Sequence, residues 1–202
     1  MTVKEKIMDN TVNFFLKEGC RKVTMDEIAA YNGMSKRTLY ENFTDKNDLI
    51  RQCVLYSNEL EKSSYLSNIA SQEDMMDILL RGHERNFSID LSSMISFMDE
   101  VRKYFPDIYR QTIREVKEAH CTMMAELLTK GQTEGYFIKN LDARIIAPIL
   151  SEIMKIAAHS ELTQGREMSQ SETYKMLVLI YFRGLTTEKG RKIIDEFMKN
   201  NN

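Results

Sequence analysis

An all-α fold in two parts is predicted: a small N-terminal three-helix domain with a helix-turn-helix, then a larger helical body. Three observations predict it. Pro is scarce (two) and Gly modest (eight), while Met, Leu, Glu and Lys recur at helical spacing, which argues against sheets. Residues 24–49, TMDEIAAYNGMSKRTLYENFTDKNDL, hold two short helical patterns joined by a turn, and a third begins at Asp45. At 202 residues the chain has room for a head, placed at 1–47, and a body, placed at 48–202.

Within the head, Thr24 followed by Glu27 is a capping box, so a helix starts near Met25 and buries Ile28 and Ala29. Gly33 suits a turn position with positive φ, where a Cβ would clash. Ser35 caps the next pattern, Lys36–Asn42, and aims free backbone N–H groups ahead of it. Seven residues do not make a helix that is stable alone in water. It must be clamped through Leu39 and Phe43, which leaves Lys36, Arg37, Thr38 and Tyr40 facing outward. Such a short, propped helix is a reading head for double-stranded DNA. Asp45 with Asp48 is a third capping pattern and places Lys46 in the first turn of the following helix. The helix dipole does not favour a cation there, so Lys46 is expected to face an external phosphate.

On these residues the segment resembles the DNA-binding domain of the TetR family of transcriptional regulators. The pattern Thr-x-x-x-Ile-Ala, Gly-hydrophobic-Ser, Leu-Tyr-x-x-Phe, then Lys and Leu is met by Thr24, Ile28, Ala29, Gly33, Met34, Ser35, Leu39, Tyr40, Phe43, Lys46 and Leu49. The upstream helix fits too, with Ile7, Phe14, Phe15 and a terminating Gly19. The resemblance covers residues 5–50. Thr11 and Asn32 stand where small apolar residues are usual and are expected to loosen local packing. Arg37 stands where a small residue is common and is expected to add a base contact.

The body reads as helices with firm breaks. One runs from Lys46 to about Leu66, a second from about Gln72 to Asp90, and a third from about Leu91 to Tyr104. Phe105-Pro106 stops the third, because Pro suits a first turn and not a helix interior. The next spans about Asp107 to Glu134 and ends at Gly135. Asp142 caps another that extends to about Leu162, residues 163–171 form a loop, and a helix from about Ser171 to Thr187 follows. Gly190 begins a short terminal helix. The run MLVLIYF at 176–182, with Ile145, Ile146, Ile149, Leu150, Ile153, Ile156 and Ala157, is apolar nearly all round and must be covered on more than one side. A two-fold partner does this, and so does the middle of a monomeric core. The TetR resemblance implies the partner: a homodimer paired through the last long helices, with Ile149, Ile153, Ile156, Met176, Leu179 and Ile180 at its interface.

A dimer implies a pseudo-palindromic operator with half-sites spaced for successive major grooves. Lys36 and Arg37 are the candidates for guanine O6 and N7. Thr38 suits a thymine methyl or a phosphate, while Thr24, Ser35, Tyr40 and Lys46 complete the contact set mainly through the backbone. The resemblance further implies a ligand cavity among the middle helices, whose occupancy spreads the heads beyond their operator spacing. Phe87, Met94, Phe97, Met98, Tyr104, Tyr109, Met123 and Met124 are its candidate lining, and they suit an apolar or aromatic small-molecule effector. Each taken singly is commoner as ordinary core.

The net charge is −2, and residues 1–50 carry balanced charges, so DNA affinity must come from a local positive tip and depend on salt. Three widely spaced cysteines, Cys20, Cys53 and Cys121, fit reduced thiols in a cytoplasm. No apolar run approaches the ~20 residues that cross a bilayer. His83, His120 and His159 share no ligand spacing, so no metal is expected. With no nucleophile triad, phosphate loop or close carboxylate pair, neither catalysis nor a cofactor is expected. A dimeric repressor released by a ligand is the reading that follows. Two alternatives stand beside it: a DNA-organising or partner-binding protein with the same head and no effector, and a helical binding or enzyme body with a vestigial head.

Overall fold

The structure is a computed structural model that describes residues 1–70, 76, 80, 91–157 and 170–200. Its helices, in chain order, are α1 (Val3–Glu18), α2 (Met25–Tyr31), α3 (Lys36–Asn42), α4 (Lys46–Ala70), α5 (Leu91–Tyr104), α6 (Pro106–Thr133), α7 (Ala143–Ala157), α8 (Gln170–Leu185) and α9 (Glu188–Asn200). No strand occurs among the described residues; one isolated antiparallel bridge joins Phe137 and Thr186. The fold is all-α, as the composition predicts.

Most breaks fall where the sequence places them. Pro106 opens α6 at a position where its missing N–H costs nothing. Asp142 caps α7, accepting the Arg144 N–H at 2.9 Å with its carboxylate and the Ile146 N–H at 3.0 Å with its carbonyl. The helix expected over 72–90 and the loop expected over 163–171 lie outside the described residues, apart from helical Met76, Leu80, Gln170 and Ser171.

The last break is a correction. α8 stops at Leu185 and α9 starts at Glu188, two residues before the expected Gly190. Thr186 and Thr187 leave the helix because they pair with the segment after α6. The Thr187 N–H donates to the Tyr136 carbonyl at 2.9 Å and the Ile138 N–H to the Leu185 carbonyl at 3.0 Å. Thr187 then serves as the cap of α9, accepting the Arg191 N–H at 2.9 Å. These pairings join residues some fifty positions apart, which no local pattern reveals.

By packing, the chain divides into two compact units: 1–63 with 89–116, and 64–88 with 117–202. In the first unit, α1, α2, α3 and the first half of α4 share one apolar cluster with α5 and the start of α6. Ile7, Phe15, Ile28, Leu39, Phe43 and Leu49 are all but sealed from solvent in it, together with Phe97 and Val101. The second unit is built on Leu127, Leu128, Phe137, Ala147, Leu150, Phe182 and Ile194, with Met76 fully buried among them. There α7 packs lengthwise on α8, and α9 closes against α8.

Candidate nucleic-acid interface

Each piece of the reading head is fixed by a local device. The Thr24 hydroxyl accepts the Glu27 N–H at 3.3 Å, while the Glu27 carboxylate accepts the Thr24 N–H at 2.7 Å and the Thr24 hydroxyl proton at 2.8 Å. Those bonds, the backbone N–H first, hold the Glu27 carboxyl below its usual range. After α2, Gly33 takes φ +65, and the Met34 N–H returns to the Ala29 carbonyl at 3.0 Å. The chain turns there, and the Ser35 hydroxyl caps α3 by accepting the Thr38 N–H at 3.1 Å. Asp45 accepts the Asp48 N–H at 2.8 Å and starts α4.

α3 shows the expected division of labour. Leu39 is its one buried residue, and Phe43, just past its end, is buried too. Lys36, Arg37, Tyr40 and Glu41 are exposed, and Thr38 and Asn42 half-buried. A two-turn helix with a single anchor on the core and four open side chains has no packing reason for its exterior composition.

The basic side chains are not free, however. Lys36 Nζ lies 2.7 Å from a carboxylate oxygen of Asp26 on α2, and Arg37 Nε donates to Glu41 one turn on at 3.0 Å. Arg37 engages through Nε, which leaves the two terminal nitrogens of its exposed fork as further donors. Lys46 differs from expectation more clearly. Its Nζ turns back and donates to the Arg21 carbonyl at 2.9 Å, and burial lowers its pKa. It therefore straps the α1–α2 loop to the start of α4, with its remaining ammonium protons available to a phosphate. Sequence reading missed the acidic partners Asp26 and Glu41. The i,i+4 spacing of Arg37 and Glu41 could have signalled one of them; the Lys36–Asp26 pair crosses between helices and has no such signal.

The candidate pocket residues separate. Met94, Phe97, Met98 and Tyr109 belong to the first unit's cluster, where the Phe97 ring stacks on Phe15 of α1 at 5.8 Å between centroids. Met123 and Met124 belong to the second unit's cluster, and Phe87 lies outside the described residues. Tyr104, at the end of α5, is 36% exposed, and its ring carries the Arg21 guanidinium at 4.1 Å.

The candidate dimer residues lie on two packed helices of the second unit. On α7, Ile145, Ile149 and Ile156 are exposed, at 61%, 44% and 57% of their surface, and Ile153 is half-buried. On α8, Met176 and Ile180 are exposed and Leu179 half-buried. Large aliphatics repeating at one-turn spacing on adjoining helices form an apolar strip of the kind that marks an interface.

The remaining reactive groups are quiet. Burial pushes the Cys20 and Cys53 thiols up, with the Glu100 carboxylate adding to the effect at Cys20, so neither is an activated nucleophile. His83 and His159 lie outside the described residues, and no metal-ligating group of three is found among the described ones. No described helix is long and apolar enough to cross a membrane.

Comparison with known proteins agrees with this geometry. The family described as "Bacterial regulatory proteins, tetR family" matches residues 7–53, from the middle of α1 to the first turns of α4. The biofilm operon icaADBC negative transcriptional regulator IcaR of Staphylococcus aureus is 27% identical over 190 residues, covering 93% of this chain and 87% of that protein. The IcaR of Staphylococcus epidermidis is 27% identical over 111 residues, covering 54% of this chain; the match spans only about half, 52%, of that relative's length. Among solved structures, a transcriptional regulator from Saccharomonospora viridis in complex with choline superposes with a TM-score of 0.71 at 18% identity. That match covers 92% of this chain and 98% of the other, and it concerns the fold.

Proposed function

We propose that this chain, a member of the tetR family of bacterial regulatory proteins and a DNA-binding transcriptional regulator of repressor type, works as a homodimer on a palindromic operator and leaves it when a small apolar or aromatic ligand binds. One observation carries the DNA half of the proposal. α3 is anchored on the core by Leu39, with Phe43 just past its end, and leaves Lys36, Arg37 and Tyr40 exposed and Thr38 half-buried. Two heads related by a two-fold axis read two half-sites about one helical turn apart. Arg37 and Lys36 address base edges, and Thr24, Ser35, Tyr40 and Lys46 fix register on the backbone.

The isoleucine strip of α7 and α8 supports the homodimer, since a second copy covers the same strip by symmetry. The negative regulation named for the IcaR relatives supports the sign. Release by a ligand needs a path to the head, and Phe97 on Phe15 supplies one: a molecule that displaces α5 pushes on α1 within a single packed unit. The ligand must bind the DNA-incompetent state more tightly, and operator and ligand then weaken each other by the same factor.

The test is fluorescence anisotropy with duplex DNA from upstream of the protein's own gene, against a scrambled duplex with competitor at near-physiological salt. Saturable binding of the upstream duplex at two protomers per duplex is the expected result. Equal affinity for both duplexes there, and for any duplex enriched from a random pool, would overturn it.

A further inference from the structure

We propose that the DNA-contacting surface continues beyond the helix-turn-helix onto α5, where Arg21 and Lys103 flank Tyr104 and together grip one backbone phosphate outside the half-site that α3 reads. This rests on the DNA-binding function proposed above and extends it to residues outside the matched head.

Three cations from three elements converge on two consecutive aromatic residues at the end of α5. The Arg21 guanidinium, in the loop after α1, lies 4.1 Å from the Tyr104 ring centroid, and Lys103 Nζ lies 5.3 Å from it. Lys46 Nζ, at the start of α4, lies 5.8 Å from the ring of Phe105 and donates to the carbonyl of Arg21 itself. Arg21, Lys103 and Tyr104 are all exposed. Tyr104 keeps 36% of its surface open to solvent with the two cations against its ring. A guanidinium lying against a ring keeps its N–H edge turned to solvent, and that edge matches the oxygens of a phosphodiester.

Of the nearby acids, Glu100 lies within the cluster, bonded to the Arg21 backbone and facing Lys46, and the others are paired with other groups. Glu100 accepts the backbone N–H of Arg21 at 3.1 Å, Asp99 pairs with Arg102 at 2.6 Å, and Asp107 pairs with Arg110. Glu27 is committed to Thr24, and Glu18 lies nearest Lys17 at 3.8 Å. Among the described residues neither Arg21 nor Lys103 makes an ion pair. The cluster is continuous with the head, because Lys46 touches both Arg21 and Phe105 and Arg21 stands three residues before the Thr24 cap. A phosphate bound there lies next to the strand that Thr24 and Lys46 meet. It adds a counterion-releasing contact with no sequence information of its own.

The experiment measures the salt dependence of binding for the full-length protein and its Arg21→Ala and Lys103→Ala variants. The probes are a duplex enriched from a random pool by the wild-type protein and the same duplex trimmed to the base-read half-sites. Lys192→Ala, an exposed charge removal in the other compact unit, is the control. Each of the two variants should flatten the slope of log K against log salt on the long duplex, and the double variant should flatten it by about 0.9 in all. On the trimmed duplex they should match wild type, a pattern that no folding defect produces. Slopes equal to wild type on the long duplex, or equal losses on both duplexes, would overturn the flanking contact and leave the regulator reading intact. Failure of the wild-type protein to enrich any sequence would remove that reading, and the flanking contact with it.

Discussion

The side-chain amide of Asn32, at the end of α2, donates to the hydroxyl of Thr11 on α1 across 3.3 Å. The same amide nitrogen donates to the Ile28 carbonyl at 2.9 Å, while the Thr11 side chain is fully buried. Both positions ordinarily hold small apolar residues in this type of head, and both depart together here. Two isolated polar substitutions in an α1–α2 contact would each leave a group without water or partner; as a pair they share one bond, while the Asn32 Oδ1 stays buried without a hydrogen-bond partner among the described residues. Thr11→Val and Asn32→Ala should therefore each destabilise the head, and the double variant should cost less than their sum. A coupling of about 0.5–1.5 kcal/mol is expected for a neutral bond of this kind. Denaturant unfolding of the four proteins measures it, and strict additivity would show that the bond contributes nothing.

That pair also shows what a sequence does and does not disclose. The caps at Thr24, Ser35, Asp45 and Asp142 were readable because a cap is written in three or four consecutive residues. Leu39 and Phe43 are readable because a seven-residue helix with one large aliphatic residue and a Phe just past its end has only one way to be anchored. Thr11 with Asn32 was read as loosened packing because its partners are twenty-one positions apart. Lys46 was read as facing outward from its dipole disadvantage, and the carbonyl of Arg21 that accepts from it is twenty-five positions away. The Arg21 guanidinium against the Tyr104 ring has no local signal either, since the two lie far apart in sequence.

Base reading should separate from backbone contact by mutation. Arg37→Ala should weaken binding and relax preference at one base pair, worth about 1–3 kcal/mol of discrimination. Tyr40→Phe should weaken all duplexes alike. Glu41→Gln releases Arg37 Nε from its ionic restraint and should broaden the same base preference by less than Arg37→Ala does. Selection from a random duplex pool with each variant gives the comparison. An unchanged selected motif for Arg37→Ala would assign that side chain to a phosphate.

Acid should loosen the start of α2. The folded-state pKa of Glu27 is depressed, so its stabilising contribution is complete above its ordinary value of 4.5 and is lost as pH falls through the lowered value. Below that range the Thr24 cap loses its ionic partner. NMR chemical shifts of the Thr24 and Glu27 amides should titrate together there, and Glu27→Gln should abolish that titration. A Thr24 amide shift that follows pH equally in Glu27→Gln would place the titrating group elsewhere.

The apolar strip of the second unit should be an interface between copies. Ile180 is exposed at 54% of its surface. Ile180→Glu should leave the fold intact and dissociate the dimer, because a carboxylate facing its own symmetry mate is desolvated and repelled at once. Sedimentation equilibrium should give the monomer mass for this variant and twice that mass for wild type. A dimer unchanged by Ile180→Glu and by Ile149→Glu would place the two-fold axis on another face.

Gly190 tests the pairing of the segment after α6 with the α8–α9 turn. A Cβ built there lies 2.5 Å from the Tyr136 carbonyl oxygen and 2.9 Å from the Thr186 methyl group. A backbone oxygen cannot swing aside as a side-chain tip can, so Gly190→Ala must move the segment carrying Tyr136 or the start of α9. Either motion strains the bond from the Thr187 N–H to the Tyr136 carbonyl and the adjacent Phe137–Thr186 bridge. Overpacking of this kind costs about 1–3 kcal/mol. Gly33→Ala is the comparison: its Cβ meets nothing within 4 Å, and only the positive φ of +65 resists it. Its cost should stay near 1 kcal/mol, typical of left-handed backbone strain without a clash. Thermal unfolding of both variants ranks them, and a Gly190→Ala protein as stable as wild type would mean that α9 seats without this contact.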